Sequence, residues 1–240
     1  MKKHIYLAVI LTLIFSSCST EKEEPNLESQ YPAGSVFGAN GPTKIVDVIN
    51  PKTGKTWMDR NLGATRAATS STDVASYGDL YQWGRRADGH QIRTSLTTPT
   101  LSSSDQPGSG NFIISPIESA PYDWRSPQNT NLWQGVAGVN NPCPNGYRIP
   151  TEAELEAERL SWSANSSIGA FASPLKFPVA GARSSIDGSV STAGNAGYYY
   201  SSTVSGTKSR NLYFGSFGIS LAGLSPSGRI DGYSVRCIKD

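Results

Sequence analysis

The chain has 240 residues, of which 21 are lysine or arginine and 19 are aspartate or glutamate, giving a formal net charge of +2. Because a nucleic-acid binder needs a basic face, this balance argues against a nucleic-acid partner. Of the 2 histidines, His4 lies in an apolar leader, so a folded domain would contain only His90. A histidine-rich zinc site is therefore excluded, and a Ser-His-Asp triad would depend on His90 alone.

Residues 1–17 have the pattern of a bacterial export signal. Lys2 and Lys3 carry the surplus positive charge and precede an apolar stretch at residues 5–15, which is too short to span a bilayer. Small residues then lead to Cys18, and this ending resembles a lipoprotein signal, although Phe15 replaces the usual aliphatic residue. The resemblance implies cleavage before Cys18 and diacylation of its thiol, which would anchor the chain to a membrane. The alternatives are an ordinary signal peptide with Cys18 as a free thiol, or a retained membrane helix.

Residues 18–33 are acidic and lack apolar periodicity, which predicts a flexible tether before a domain at residues 34–240. Ser19 differs from the aspartate that commonly retains lipoproteins in the inner membrane, so we expect an outer-membrane location. The acidic run at residues 22–24 is similar to the export signals of some surface lipoproteins, which favours exposure at the cell surface. Plain linker acidity is the alternative interpretation of that run.

The domain begins with a predicted pair of strands. Apolar and β-branched runs occupy residues 38–48 and 56–58. Between them, Pro51 and Gly54 are typical of a turn, because proline presets one backbone angle and glycine permits a positive φ.

A short helix and long loops are expected next. The apolar residues of the segment 73–84 follow the three-to-four spacing of a helix. Residues 85–140 are rich in proline, serine and glycine and predict little regular structure. We expect Trp83, just before this region, and Trp124 and Trp133 within it to pin the loops onto a core.

A second helix is signalled by Thr151 and Glu154, which fit a capping box. Its predicted apolar face consists of Ala153, Ala157 and Leu160. Four glutamates alternate along it, at positions 152, 154, 156 and 158. Alternate residues lie on different sides of a helix, so the four cannot converge on one substrate, and a solvated face is predicted instead.

The last third of the chain predicts short strands at residues 197–203, 210–214 and 233–238. Cys143 and Cys237 are the only cysteines in the predicted domain at residues 34–240. An exported protein enters an oxidising compartment, so a disulfide between them is expected. The functional alternative is a cysteine nucleophile with His90 as its base.

Four motifs together resemble one family, the FISUMP domain of exported bacterial proteins. They are residues 56–63 (TWMDRNLG), 77–84 (YGDLYQWG), 141–151 (NPCPNGYRIPT) and 232–237 (GYSVRC). The match runs in order from Lys44 to Asp240. The resemblance implies a C-type-lectin-like fold, shared with formylglycine-generating enzymes. Such a domain is α+β, with small antiparallel sheets, two helices and long loops.

The tail from Gly194 to Asp240 has a narrower resemblance, to the variable region of proteins targeted by diversity-generating retroelements. Those proteins present a mutable binding surface on a constant lectin-like scaffold. Residues 210–231 contain none of the five residue types that mutated asparagine codons cannot reach: Glu, Gln, Lys, Met and Trp. This is consistent with diversification of the region 197–231.

A binding face also follows from the strand pattern. In the run 210–214, Leu212 and Phe214 alternate with Asn211 and Tyr213, so one pair faces the core and the other faces outward. Tyrosine combined with serine and glycine is typical of antibody paratopes. The predicted ligand-binding residues, expected on one exposed surface, are Tyr198, Tyr200, Tyr213, Gly215, Ser216, Gly218, Ser220, Ser225, Ser227 and Asp231.

These patterns favour a non-catalytic surface lipoprotein that binds a protein or a glycan, with no cofactor. A formylglycine-generating enzyme would need two reactive cysteines close together, and only Cys237 lies near the C-terminus. Calcium-dependent sugar binding needs clustered oxygen ligands, but Asp231 is the single carboxylate in the region 197–231, so no metal site is predicted. A fimbrial or structural subunit is a further alternative.

Overall fold

The computed structural model describes residues 26–115, 122–215 and 221–240. The predicted signal peptide, Cys18 and the first part of the tether lie outside these ranges. Within them, no helix has both the length and the apolar character needed to cross a bilayer. The domain is α+β, as predicted, with several small and mostly antiparallel sheets and two α-helices among the described residues.

The elements follow one another as short strands around a pair of helices. In chain order they are β1 (Asp47–Asn50), β2 (Lys55–Met58), β3 (Tyr81–Gln82), β4 (Thr97–Thr98), β5 (Phe112–Ile113), β6 (Tyr147–Arg148), α1 (Glu152–Leu160), α2 (Ser167–Ala172), β7 (Ala182–Arg183), β8 (Val190–Ser191), β9 (Ala196–Ser205), β10 (Lys208–Gly215), β11 (Gly223–Ser227), β12 (Gly232–Tyr233) and β13 (Ile238–Lys239). The strands are ordered β1-β2-β13-β6, β11-β10-β9 and β3-β12-β7-β8 in the three larger sheets, and β4 pairs with β5.

The sheet β1-β2-β13-β6 joins the beginning of the domain to its end. The predicted turn connects β1 to β2, and Gly54 there has φ +69°. The predicted disulfide is confirmed: it links Cys143, four residues before β6, to Cys237, one residue before β13. Both cysteines are buried, so the bond ties two strands of one sheet together inside the protein.

Two clusters of buried side chains lie on opposite faces of β9. The first core contains Trp83, Trp133 and the disulfide, and the second core contains Trp57, Phe177 and Phe214. Consecutive residues of β9 contribute to different cores, since Tyr199 packs in the second core and Tyr200 in the first. The β9 strand is therefore covered on both faces along this part of its length.

The tryptophans of the long loops are buried, as predicted. Trp83 donates its indole N–H to the Ser201 carbonyl at 2.8 Å, and Trp124 donates to the Trp83 carbonyl at 2.7 Å. Trp133 donates to the Arg85 and Asn140 carbonyls. Each indole therefore ties a loop to the core through both its apolar area and its polar tip.

The helix predicted at residues 73–84 is wrong. The structure has a single 3₁₀ turn there, Val74–Ser76, which is followed by β3. Gly78 ends the helical geometry with φ +66°, and a Cβ at this position would lie 2.2 Å from the Leu62 carbonyl oxygen. The backbone thus approaches a neighbouring segment too closely to continue as a helix.

The capping box of α1 is confirmed, but its predicted buried face is wrong. Ala153, Ala157 and Leu160 are exposed, whereas Leu155 and Glu158 are buried. The Glu158 carboxylate accepts hydrogen bonds from three side chains, those of Asn50, Trp162 and Ser173, at 2.6, 3.1 and 2.7 Å. A glutamate predicted to be solvated is therefore buried because distant residues satisfy its oxygens.

The ordered domain begins before the predicted boundary at residue 34. Residues Leu27–Gln30 form a 3₁₀ turn, and Leu27 packs against the first core. Tyr31 is buried and donates its hydroxyl to the Thr43 carbonyl at 2.6 Å. The second half of the segment predicted as a flexible tether is therefore part of the folded unit.

Candidate ligand-binding face

The sheet β11-β10-β9 carries most of the predicted binding residues that the structure describes. Tyr213 pairs with Tyr198 on one side and with Gly223 on the other. Directly paired residues project to the same face of a sheet, so both tyrosines lie on the face opposite Leu212. Leu212 is fully buried and Tyr213 is partly exposed, which agrees with the predicted alternation.

Tyr213 extends across its neighbouring strand. A Cβ added to Gly223 would lie 2.9 Å from the Tyr213 hydroxyl oxygen, so the ring occupies the space that a side chain at position 223 would need. Tyr198 stacks on Tyr233 of β12, with ring centroids 5.2 Å apart and an interplanar angle of 23°. Both rings of this stack are partly exposed.

The predicted exposure of Tyr200 is wrong. Its side chain is fully buried, and its hydroxyl donates to the carbonyls of Gly228 and Asp231, both at 2.9 Å. Tyr233 and Trp133 cover its ring, with centroid distances of 4.6 and 5.9 Å. Alternation along β9 correctly places Tyr198 and Tyr200 on one side of the sheet, but other elements cover that side at position 200.

Two serines of β11 are anchored by one buried amide. The Asn211 side-chain oxygen accepts hydrogen bonds from the Ser225 and Ser227 hydroxyls, at 3.1 and 2.5 Å. Asn211 is buried, while both serines are partly exposed. The amide therefore holds two hydroxyl groups at defined positions beside the tyrosines.

We call the partly exposed surface formed by Tyr198, Tyr213, Ser225, Ser227 and Tyr233 the tyrosine face. Asp231 adjoins it and is also partly exposed, and its negative charge helps to raise the pKa of Tyr233, although burial is the larger cause. Gly215 is buried at the end of β10 and so does not contribute surface, contrary to prediction. Ser216, Gly218 and Ser220 lie outside the described residues.

Tyr233 is a member of this surface that sequence reasoning missed. It lies in the motif GYSVRC, which reads as part of the scaffold, and no alternation along its short strand marks it as exposed. The signal that could have found it is its spacing from Asp231. The two residues are two positions apart, which in a strand places them on the same face, and Tyr233 lies against Tyr198.

The four sequence motifs meet behind the tyrosine face. The buried Arg236 guanidinium donates to the Asn61 side-chain oxygen at 3.0 and 2.9 Å, and Asn61 donates in turn to the Tyr77 carbonyl at 3.0 Å. The disulfide attaches the motif containing Cys143 to the same group. Motif residues thus bind one another and build the interior.

His90 is buried, and both of its ring nitrogens have hydrogen-bond partners within the protein. It is fully buried, its Nδ1 lies 2.6 Å from the Asp88 carboxylate, and its Nε2 accepts the backbone N–H of Gln82 at 3.0 Å. Burial lowers the His90 pKa to about 4, so the ring is neutral at pH 7. Both nitrogens are engaged and the two domain cysteines are bonded together, so neither Cys143 nor Cys237 offers His90 a free thiol in this structure.

Within the described ranges, no group of three or more histidine, cysteine, aspartate or glutamate side chains could hold a metal ion. In comparisons with known proteins, the chain matches no family model, no curated protein and no solved structure. The resemblance to the FISUMP domain and to the lectin-like fold stays a prediction from the sequence motifs.

Proposed function

We propose that this chain is a surface-anchored lipoprotein that displays a diversified ligand-binding face on a C-type-lectin-like scaffold and catalyses no reaction. The observation that carries the proposal is that different residues build the interior of the domain and its exposed tyrosine face. The motif residues Asn61, Cys143 and Arg236 are buried and hold the motifs together, whereas the tyrosine face lies on β9–β12 and exposes aromatic rings and hydroxyls.

The chemistry of the tyrosine face supports binding to a protein or a glycan. Tyrosine rings supply rigid, amphipathic contact area at low entropic cost, and the two anchored serines supply hydrogen bonds. Apart from Asp231, the described part of the face carries no charged side chain, so recognition would depend on shape and hydrogen bonding more than on charge.

The geometry also supports a surface that can vary without loss of the fold. Ser225 and Ser227 project outward from β11, which pairs with β10 alone. The buried contact of their side chains is the Asn211 oxygen, so a substitution at one serine leaves the other as its donor. Tyr198 and Tyr213 project away from the second core, which Leu212 and Phe214 fill from the other side of the sheet. Diversification of the region 197–231 would be tolerated at these outward positions and opposed at Tyr199, Tyr200 and Leu212.

The proposed anchor gives a separate expected result. Growth of an expressing bacterium with labelled palmitate should label the wild-type chain and leave Cys18→Ala unlabelled, because the thiol of Cys18 is the proposed acylation site. The label is measured on the purified chain after electrophoresis, with Cys143→Ala as a control that keeps the anchor. Equal labelling of wild type and Cys18→Ala would refute the anchor.

The binding proposal is tested with a glycan array and with intact bacterial cells as probes. For any probe that binds, the double variant Tyr198→Ser, Tyr213→Ser should lose at least about tenfold in affinity, since aromatic residues dominate interface energies. The matched control is Leu160→Ser, Ile168→Ser, two residues exposed by 68% and 75% on α1 and α2. Unchanged affinity in the tyrosine variant, or an equal loss in the control, would contradict the proposed site.

A further inference from the structure

A second surface feature is a cleft of about 890 Å³ that shares no residue with the tyrosine face. Its walls are formed by the loop 38–41, the segment 74–79 and the segment 92–94, with Gly63 and Ala193 between them. Most of the lining is backbone or small side chains. Two charged residues, Asp79 and Arg93, line the same cleft.

The Asp79 carboxylate is partly exposed in the cleft and accepts no hydrogen bond from the described part of the chain. It lies against Gly63, where an added Cβ would be 2.4 Å from the carboxylate carbon. No side-chain or backbone group there donates a hydrogen bond to it, and burial raises its pKa to about 7 while Arg93 only partly offsets this effect. The nearby Asp73 shows the contrast, because Arg66 and Thr69 bind its carboxylate and lower its pKa.

Arg93 is held in place by backbone carbonyls and not by an ion pair with Asp79. Its Nε donates to the Gly78 carbonyl at 2.6 Å and one terminal nitrogen donates to the Ala180 carbonyl at 2.9 Å. Its guanidinium also lies 5.6 Å from the centroid of the Tyr77 ring. The other terminal nitrogen makes no hydrogen bond to a described residue, so it has donors left for a ligand.

We propose that this cleft binds a small zwitterion of the amino-acid class, whose ammonium group meets Asp79 and whose carboxylate meets Arg93. The Asp79 carboxylate has no donor from the described residues, and an ammonium group supplies the opposite charge and the hydrogen bonds. Because the cleft presents one fixed negative and one fixed positive group that do not pair with each other, a ligand with both charges satisfies it better than a simple amine or acid. Small lining residues leave room for a side chain.

The test is isothermal titration of the purified full-length chain at pH 8 with four probes: L-alanine, trialanine, methylamine and acetate. We expect L-alanine to bind at least about tenfold more tightly than methylamine or acetate, and Asp79→Asn to weaken it by at least about tenfold. The matched control is Asp187→Asn, an exposed aspartate outside the cleft, which should bind as the wild type does. Tighter binding of trialanine than of L-alanine would assign the same chemistry to short peptides.

The folded state of Asp79→Asn is checked by its melting temperature as a function of pH. Because the folded pKa of Asp79 is raised from 3.8 to about 7, ionisation opposes folding increasingly as the pH rises through this window. The variant should therefore melt above the wild type, by a margin that grows from pH 4 to pH 7 and then levels off. Equal binding of L-alanine by wild type and variant, or no binding of L-alanine and trialanine at millimolar concentration, would overturn the proposal.

Discussion

Replacing both Cys143 and Cys237 with alanine is expected to lower the free energy of unfolding by about 4–5 kcal/mol. The bond closes a loop across 94 positions, and a cross-link over so long a segment removes much of the entropy of the unfolded chain. Both cysteines are buried in the first core, next to the strands that join the two ends of the domain. Urea denaturation followed by tryptophan fluorescence measures the loss.

Two comparisons separate the covalent bond from the packing of its sulfur atoms. The reduced wild-type chain keeps both side chains and should show most of the same loss. Cys18→Ala, which leaves the disulfide intact, should unfold as the wild type does. A loss below about 1 kcal/mol in the double variant would show that the loop is already restrained in the unfolded state.

Leu212→Ala is expected to destabilise the domain by about 2–5 kcal/mol, whereas Tyr213→Ala should cost about 1 kcal/mol at most. Leu212 is fully buried in the second core, between Tyr199 and Leu224 on the adjacent strands. Tyr213 is partly exposed and lies between Tyr198 and Gly223 on the adjacent strands. Thermal and urea unfolding of the two variants measure the difference between adjacent positions of one strand.

Trp57→Ala serves as the control for this pair, because Trp57 fills the same core from β2 and should lose a similar amount of stability to Leu212→Ala. Equal and small losses for Leu212→Ala and Tyr213→Ala would contradict the register of β10. A larger loss at Tyr213 than at Leu212 would reverse it.

Local sequence signals predicted the capping box of α1 and the β1–β2 turn correctly. Thr151 and Glu154 are three residues apart, and the β1–β2 turn depends on residues within one short segment, so each could be recognised without knowledge of the fold. The Cys143–Cys237 bond is a long-range contact, but it was predictable because the predicted domain at residues 34–240 contains no other cysteine.

The failures concern residues whose environment comes from distant segments. Glu158 is buried because Asn50, 108 positions away, binds its carboxylate. Charge and helical periodicity alone place such residues on the surface. Polar residues with long-range partners therefore reversed the predicted burial of α1, and they built the interior around the motifs.

The candidate face shows the same limit. Alternation along β10 placed Leu212 inward and Tyr213 outward correctly, because one side of β10 packs on the second core. At Tyr200 the rule assigned the correct face but the wrong exposure, because Tyr233 and Trp133 come from other parts of the chain and cover that side of β9. A period of two assigns a residue to a face, but it does not tell which faces another element covers.

Tyrosine nitration with mass-spectrometric detection tests the tyrosine face most directly. In the folded chain, Tyr198 and Tyr213 should react with tetranitromethane, while the buried Tyr199 and Tyr200 should not. Addition of any probe that binds the chain should protect Tyr198, Tyr213 and Tyr233 and leave reactive tyrosines outside the tyrosine face unchanged. Nitration of Tyr200 as rapid as that of Tyr213, or a bound probe that protects neither Tyr198 nor Tyr213, would contradict the proposed binding face.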